Sequence, residues 1–408
     1  MKYTIDQKHI RYINQRVILN QIVQTESISR ATLSRLVHIS KSAMTENIAA
    51  LLSTGIIEEV GVGPSHSTGG RKPILLKFNR NYAYIVAIDL NYTDPIFVLA
   101  NLGGDIINRF AIHVTPSSSY ETRLTLVKNA VSALIASANL QNRDNLVIAI
   151  SSPGIYNPAT GLLRINEQFA TWNLPELSRQ LGAFFRTQVL VVNDVNAAAI
   201  GELHYGAGKG MRNLLYISCG LGLGAGLILN GALYEGSCNG AGEIANFIVP
   251  DIKNIHLEQL VNIDSLLENL RKMPPEELYE ITKDPTQLDF QQVVQAWKRG
   301  SRLIDGPLDQ IARRLGYAVC NMISLLNCDC VIFGGEYRVF CDRLLPVINE
   351  IIQQNAFHPV EMVASSLSHD SGIYGLFSLA SEQIFDKLCS TPGTHREFST
   401  SLAGKGTI

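Results

Sequence analysis

Apolar positions recur at helical spacing near the start of the chain, at Ile10, Ile13, Val17, Ile18 and Ile22, which predicts an amphipathic helix over 9–24. Two serine-capped segments follow. Ser29 precedes Leu33, Leu36 and Val37, and Ser40 precedes Met44, Ile48, Leu51 and Leu52, so each predicts a helix whose first free amide is taken by a serine oxygen. His38 falls in the turn between them, where glycine is usual, and a left-handed backbone is expected there because His tolerates it better than a branched residue. Helices in this order make a helix-turn-helix. Beyond them, apolar stretches at 56–60 and 73–78 flank GVGPSHSTGGRK and predict a β-hairpin, the wing of a winged helix-turn-helix.

Past residue 80 the pattern changes to alternating strands and helices, the signature of an α/β body. Strands are expected at 84–90, 96–102, near 106–113, at 146–151 and at 188–192, with helices at about 120–139 and 174–186. Asn193 and Asp194 end the last of these strands, where open α/β sheets hold ligands, with a cap for a helix over 195–203 as the alternative. Between Gly220 and Gly242 the chain places eight glycines in 23 positions around a strand-like core of Ala225, Leu227, Ile228 and Leu229. Glycine admits positive φ and close backbone approach, so the tract reads either as tight hairpin turns or as a small-molecule cradle with Glu243 at its lip.

Charge divides the chain at the same place. Residues 1–80 hold eleven Lys or Arg and five acids, a net of +6, while the rest carries a net of −8 within an overall −2. A basic head on an acidic body points to a nucleic-acid partner. The exposed face of the third helix is expected to carry Ser42, Ala43, Thr45, Glu46 and Asn47 toward base edges in a major groove. Arg30 and Lys41 open the second and third helices, and Arg71 and Lys72 sit in the wing where phosphates lie. A three-helix dimerisation module is the alternative. No apolar run is long enough for a membrane span and the first residues lack a signal-peptide core, so a cytoplasmic protein is expected. Seven cysteines without a CxxC pair read as reduced thiols, with Cys328 and Cys330 packing on a strand.

The stretches ISRATLSRLVHISKSAMTENIAALLSTGIIEE, GGRKP, SSPG, VVNDVNAAAIGE, SCGLGLGAGLILNGALYEGSCNGAGEIAN and VIFGGE resemble the ROK family, over about residues 8–380. That family groups bacterial transcriptional repressors with sugar kinases. The resemblance implies a winged helix-turn-helix over 1–80, then a two-lobed actin-like, ribonuclease-H-like fold with lobes at 81–197 and 198–389. The composition of 390–408 predicts a disordered tail, and the resemblance places a helical stretch at 264–300 in the second lobe and has the last helix return to the first. It also implies sugar recognition by Asn193, Asp194, Glu243, Asn246 (where the family has His) and Glu258. Amides and carboxylates suit this work, because each hydroxyl both donates and accepts.

Two departures separate regulator from kinase. The family's kinases open with an Asp-x-Gly-Gly-Thr phosphate loop, whereas this chain reads Asp89-Leu90-Asn91-Tyr92-Thr93, so impaired phosphate approach is expected and Asp194, the general base of a kinase, would bind sugar without catalysis. The family's zinc cysteines are missing from FIVPDIKNIHLEQ, so neither metal nor cofactor is expected, and packing of Phe247, Ile248, Val249, Ile252 and Ile255 should order that segment. The implied partners are an operator DNA, a sugar or sugar-phosphate effector and a second copy of the chain in a homodimer or larger assembly. An active sugar kinase with a fused DNA-binding head is the competing reading.

Overall fold

The structure is a computed structural model, and it describes residues 7–62, 73–91, 94–138, 140, 145–157, 162–164, 170–249 and 255–389. Arg71, Lys72, Tyr92, Ile252 and the tail at 390–408 lie outside the described residues. By its internal contacts the chain divides into two compact units, residues 1–150 with 167–191 and 377–408, and residues 151–166 with 192–376.

The first unit opens with α1 (Gln7–Val23), β1 (Ile28–Ser29), α2 (Arg30–Leu36), α3 (Lys41–Thr54), β2 (Ile57–Val62) and β3 (Ile74–Phe78). The capping expectations hold: the Ser29 hydroxyl accepts from the Thr32 amide at 3.2 Å and the Ser40 hydroxyl from the Ala43 amide at 3.3 Å. His38 takes the left-handed turn with φ 52°. The strands form a sheet in the order β1-β3-β2, closing the wing against the helices. Ile18, Leu19, Ile22, Leu33, Met44, Ile48 and Leu51 are buried in the head, whereas Ile10, Ile13, Val17 and Leu36 are exposed. The apolar stripe of α1 is therefore rotated from the expected one, because Gln15, Ile18, Leu19 and Ile22 form its buried face.

That rotation turns Tyr12 and Arg16 toward the last helix of the chain, whose residues 377–389 belong to the same unit. Arg16 pairs with Glu382 and, at 3.3 Å, with Asp386, and the Tyr12 hydroxyl donates to Asp386 at 2.6 Å. Phe78 meets Phe385 edge-on at 5.9 Å. Burial and then the Asp386 acceptor push the Tyr12 phenol up to about 12.

Behind the head stands a sheet in the order β10-β7-β4-β5-β6, built from β4 (Tyr84–Asp89), β5 (Ile96–Asn101), β6 (Ile106–Ala111), β7 (Leu146–Ser152) and β10 (Gln188–Asn193). β8 (Ile155–Asn157) and β9 (Leu162–Arg164) pair separately. β4, β5 and β6 make an antiparallel meander, as expected of apolar runs joined by short turns. Helices α4 (Tyr120–Ser137) and α5 (Leu174–Phe185) accompany the sheet. Arg123 on α4 is fully buried with its guanidinium 4.9 Å from the centre of Trp172, and it donates to the carbonyls of Ser118, Thr115 and Pro116. The cation is thereby both stacked and hydrogen-bonded, the condition for burying it.

The second unit carries α6 (Asp194–Tyr205), β11 (Leu214–Cys219), β12 (Leu223–Leu229), β13 (Ala232–Leu233), the short α7 (Glu258–Val261), α8 (Ile263–Arg271), α9 (Pro275–Leu278), α10 (Phe290–Lys298), α11 (Asp305–Leu326), β14 (Cys330–Gly334), α12 (Cys341–Asn355) and β15 (Met362–Ala364). Its sheet runs β13-β12-β11-β14-β15, with β11, β14 and β15 parallel and β12 antiparallel to β11. Leu215, Ile217, Val331 and Phe333 join the helices α8 to α12 in one apolar core, which includes Cys328 as packing. The last helix, α13 (Ser371–Cys389), begins in this unit.

Candidate functional site

The glycine tract is both turn and scaffold. It supplies the β11–β12 hairpin and then β12 itself, whose glycines let other segments lie against it without side chains between. A methyl on Gly224 would meet Val195 Cγ2 at 3.0 Å, and one on Gly226 would meet Ala199 Cβ at 2.6 Å, so α6 rests directly on the strand. Gly242, at φ 89°, lies against Ala225, whose amide donates to its carbonyl at 2.9 Å. Glu258 reaches the same strand, accepting from the Leu223 amide at 3.0 Å. Thus the segments bearing Asn193 and Asp194, Glu243 and Asn246, and Glu258 all dock on β12.

What each side chain does there differs. Asn193 is the N-cap of α6: its carbonyl oxygen accepts from the Asn196 amide at 3.0 Å and its NH2 donates to Gly154 O at 3.0 Å. The capping alternative is realised for Asn193, and its amide positions the helix. Asp194 is half-buried in the first turn, with one carboxylate oxygen accepting from the Val195 amide at 2.9 Å, and the positive end of the helix dipole favours its charge. Glu243 and Asn246 are exposed at the two ends of a single 3-10 turn.

The segment after Asn246 is held in a different way from that expected. Phe247 and Ile248 are exposed, so side-chain packing does not order them. Ile248 instead pairs with His256 in an antiparallel bridge, the Leu257 amide donates to Phe247 O at 2.8 Å, and the His256 ring bonds Asn246 O at 3.2 Å. Val249 does pack on the apolar core as expected, so backbone pairing takes the place of side-chain burial at Phe247 and Ile248 only.

The amides of the tract's first turn already have anionic partners. Leu221 N–H donates to Glu336 at 3.3 Å, next to Leu223 N–H on Glu258, and Gly220 has no room for a side chain beside the Glu336 carboxylate. Glu336 follows the left-handed Gly335 at the end of β14. Both amides of this turn are therefore already taken by a carboxylate acceptor. In the first unit, Asn91 closes the β4–β5 turn with its side chain, donating to Asp94 O and accepting from the Asp94 amide, both at 2.6 Å.

Glu202, unassigned from sequence, is the most heavily bonded carboxylate described. Its Oε1 accepts from Ser365 at 2.6 Å, Ser371 at 2.8 Å and the Leu367 amide at 3.1 Å; its Oε2 accepts from the Ala207 amide at 2.9 Å and more weakly from Ser366. Burial opposes its charge, but the hydrogen bonds from Ser365, Ala207, Ser371 and Leu367 outweigh it and hold the carboxyl below the usual range. It ties α6 to the start of α13. The final Glu of VVNDVNAAAIGE was the only trace of this in the sequence.

On the head, Lys41, Ser42, Thr45 and Glu46 are exposed together on α3, while Ala43 is half-buried. Asn47 departs from the expected face: it is buried and donates to Ala43 O at 2.7 Å, since its position is one turn before the core residue Leu51. Arg30 is drawn onto β2 by an ion pair with Glu59 at 2.8 Å, so its charge is already matched. Among the described residues no helix is long and apolar enough to cross a membrane.

The chain thus joins a winged helix-turn-helix to an α/β body with two five-stranded sheets. The chain belongs to the ROK family, which it matches over residues 85–383. It is 28% identical to the xylose repressor of Caldicellulosiruptor bescii over 358 residues, covering 85% of this chain and 89% of the relative. It is 23% identical to the DNA-binding transcriptional dual regulator NagC of Escherichia coli, with 91% and 92% covered. A ROK family transcriptional regulator, a homolog of the E. coli MLC protein, superimposes with a TM-score of 0.76 at 22% identity, over 93% of this chain and 98% of its own. A ROK family glucokinase from Streptomyces griseus, solved with glucose and AMPPNP, gives 0.60 at 21% identity and covers 74% of this chain and all of its own.

Proposed function

We propose that the protein is a sugar-responsive DNA-binding repressor of carbohydrate-utilisation genes whose kinase-like body binds its effector without phosphorylating it. The observation that carries this reading is the occupation of the glycine-turn amides by Glu336 and Glu258, in a chain that also bears a winged head. Phosphoryl transfer depends on positioning and neutralising the donor phosphates, and in this reading a glycine turn whose amides are taken by carboxylates offers neither. The names of the relatives, xylose repressor and NagC, and the regulator's coverage of 93% of this chain against the glucokinase's 74%, support the same conclusion.

In this reading Asp194, Glu243, Asn246 and Glu258 recognise the hydroxyls of a sugar or sugar phosphate, with Asn193 fixing the helix that presents Asp194. Lys41, Ser42, Thr45 and Glu46 face the operator, Ala43 and Asn47 support that face from within, and Arg71 and Lys72 contact phosphates. Paired heads on a homodimer read two half-sites. A coupled ATP-consumption assay across pentoses, hexoses and amino sugars tests the non-catalytic claim: no sugar-dependent turnover is expected, and turnover at ordinary kinase rates, above about 1 s⁻¹, overturns it.

A further inference from the structure

A cleft of about 540 Å³ opens in the first unit, well within the range of small-molecule sites. It lies where Tyr82 leads into β4, Asn145 into β7 and Thr187 into β10, so the starts of three strands share it. Asp194, by contrast, follows the end of β10. The cleft wall is held by the Asn145 side chain, donating to Tyr82 O at 3.0 Å, and by the Thr187 hydroxyl on Leu146 O.

The lining has a definite chemistry. Arg186 and Lys387 both face the cleft, neither has an ion-pair partner among the described residues, and no described lining residue is an acid. Arg186 moreover holds a left-handed backbone, φ 54° and ψ 43°, at the end of α5, a conformation a non-glycine residue adopts at a cost. Gln383, one turn before Lys387 on α13, has its side-chain oxygen buried without a hydrogen-bond partner among the described residues. An orphaned acceptor calls for a donor such as a hydroxyl, and two exposed cations with no acid in the described lining suit an oxyanion.

We infer that this cleft is a second ligand site, for a small hydroxylated oxyanion, either a phosphate ester or a carboxylate. Arg186 and Lys387 take the charged end and Gln383 accepts from a hydroxyl. Glu382 and Asp386, which clasp Arg16 and Tyr12 of the head, alternate with Gln383 and Lys387 along the same two turns of α13. The ligand thus touches the helix that holds the DNA-binding head.

The test is isothermal titration of the full chain with glycerol 3-phosphate, with glycerate as the carboxylate arm and glycerol as the uncharged control. Saturable one-to-one binding of an oxyanion and none of glycerol is expected, the tighter arm identifying the charged group. Arg186→Gly suits the left-handed backbone, so it should keep or raise the melting temperature while weakening binding at least tenfold. Lys387→Ala should weaken it similarly, and Asp194→Ala should bind as the parent does. No saturable binding of either oxyanion at millimolar concentration overturns the inference. So does binding that survives Arg186→Gly and Lys387→Ala, or that disappears in Asp194→Ala.

Discussion

Replacing Glu202 by Gln keeps the volume and removes one acceptor, which makes it a sharp probe of how helix α6 is held. With the amide oxygen at the Oε1 position, it still accepts from Ser365, Ser371 and the Leu367 amide. The new NH2 then faces the Ala207 amide, bonded at 2.9 Å in the parent, and the Ser366 amide at 3.4 Å. An orphaned buried donor costs about 1–3 kcal/mol, and the longer Ser366 contact weighs less, so a loss of about 2–3 kcal/mol is expected. Trp172 and Trp297 fall in different units and are the only tryptophans, so in a Trp172→Phe background Trp297 fluorescence reports the second unit alone. At a slope near 2–3 kcal/mol per molar urea the midpoint should fall by about 1 M at pH 7. Because the folded carboxyl lies below the usual range, its stabilisation is complete above the unfolded value of about 4.3 and is lost as pH falls through the folded one. The gap between parent and variant must therefore narrow in acid. Equal midpoints at pH 7, or a gap that widens below pH 4, would refute the account of Glu202.

Three further outcomes follow from contacts elsewhere. Gly375→Ala drives a methyl into Ala197 O where α13 crosses α6, and should lower the urea midpoint by the equivalent of about 3 kcal/mol. Lys41→Ala should weaken DNA binding on all sequences and reduce the salt slope by about one, whereas Asn47→Ala should change head stability and leave base preference alone, both read by fluorescence anisotropy. Arg16→Ala removes the pairs with Glu382 and Asp386, partly exposed and worth about 1 kcal/mol, and should speed amide exchange in α1 ahead of the strands behind it.

Features decided by neighbours in sequence were legible before the fold. Ser29, Ser40 and His38 act within three or four residues of themselves, and the glycine run announced the tight turn between β11 and β12, though not that its glycines seat α6 and Gly242 on β12. What depended on distant segments was not. The turn of α1 toward α13 rests on Arg16 meeting Glu382, and the grip on Glu202 rests on Ser365 and Ser371. Asn47 illustrates the same limit at short range, since a helical wheel does not say how far a helix is rolled into its core. Phe247 and Ile248 misled in the other direction: their apolarity suggested burial, and a backbone bridge made it unnecessary.

The central claim is that a sugar acts through Asp194 to change the grip of the head on DNA. An operator selected by the full chain from random duplexes, labelled and followed by anisotropy, measures this directly against pentoses, hexoses, amino sugars and their phosphates. The account predicts that one of these sugars shifts operator affinity at least tenfold in the parent and leaves it unchanged in Asp194→Ala, with no ATP present. Operator binding indifferent to every sugar, or a response that Asp194→Ala retains in full, would contradict it.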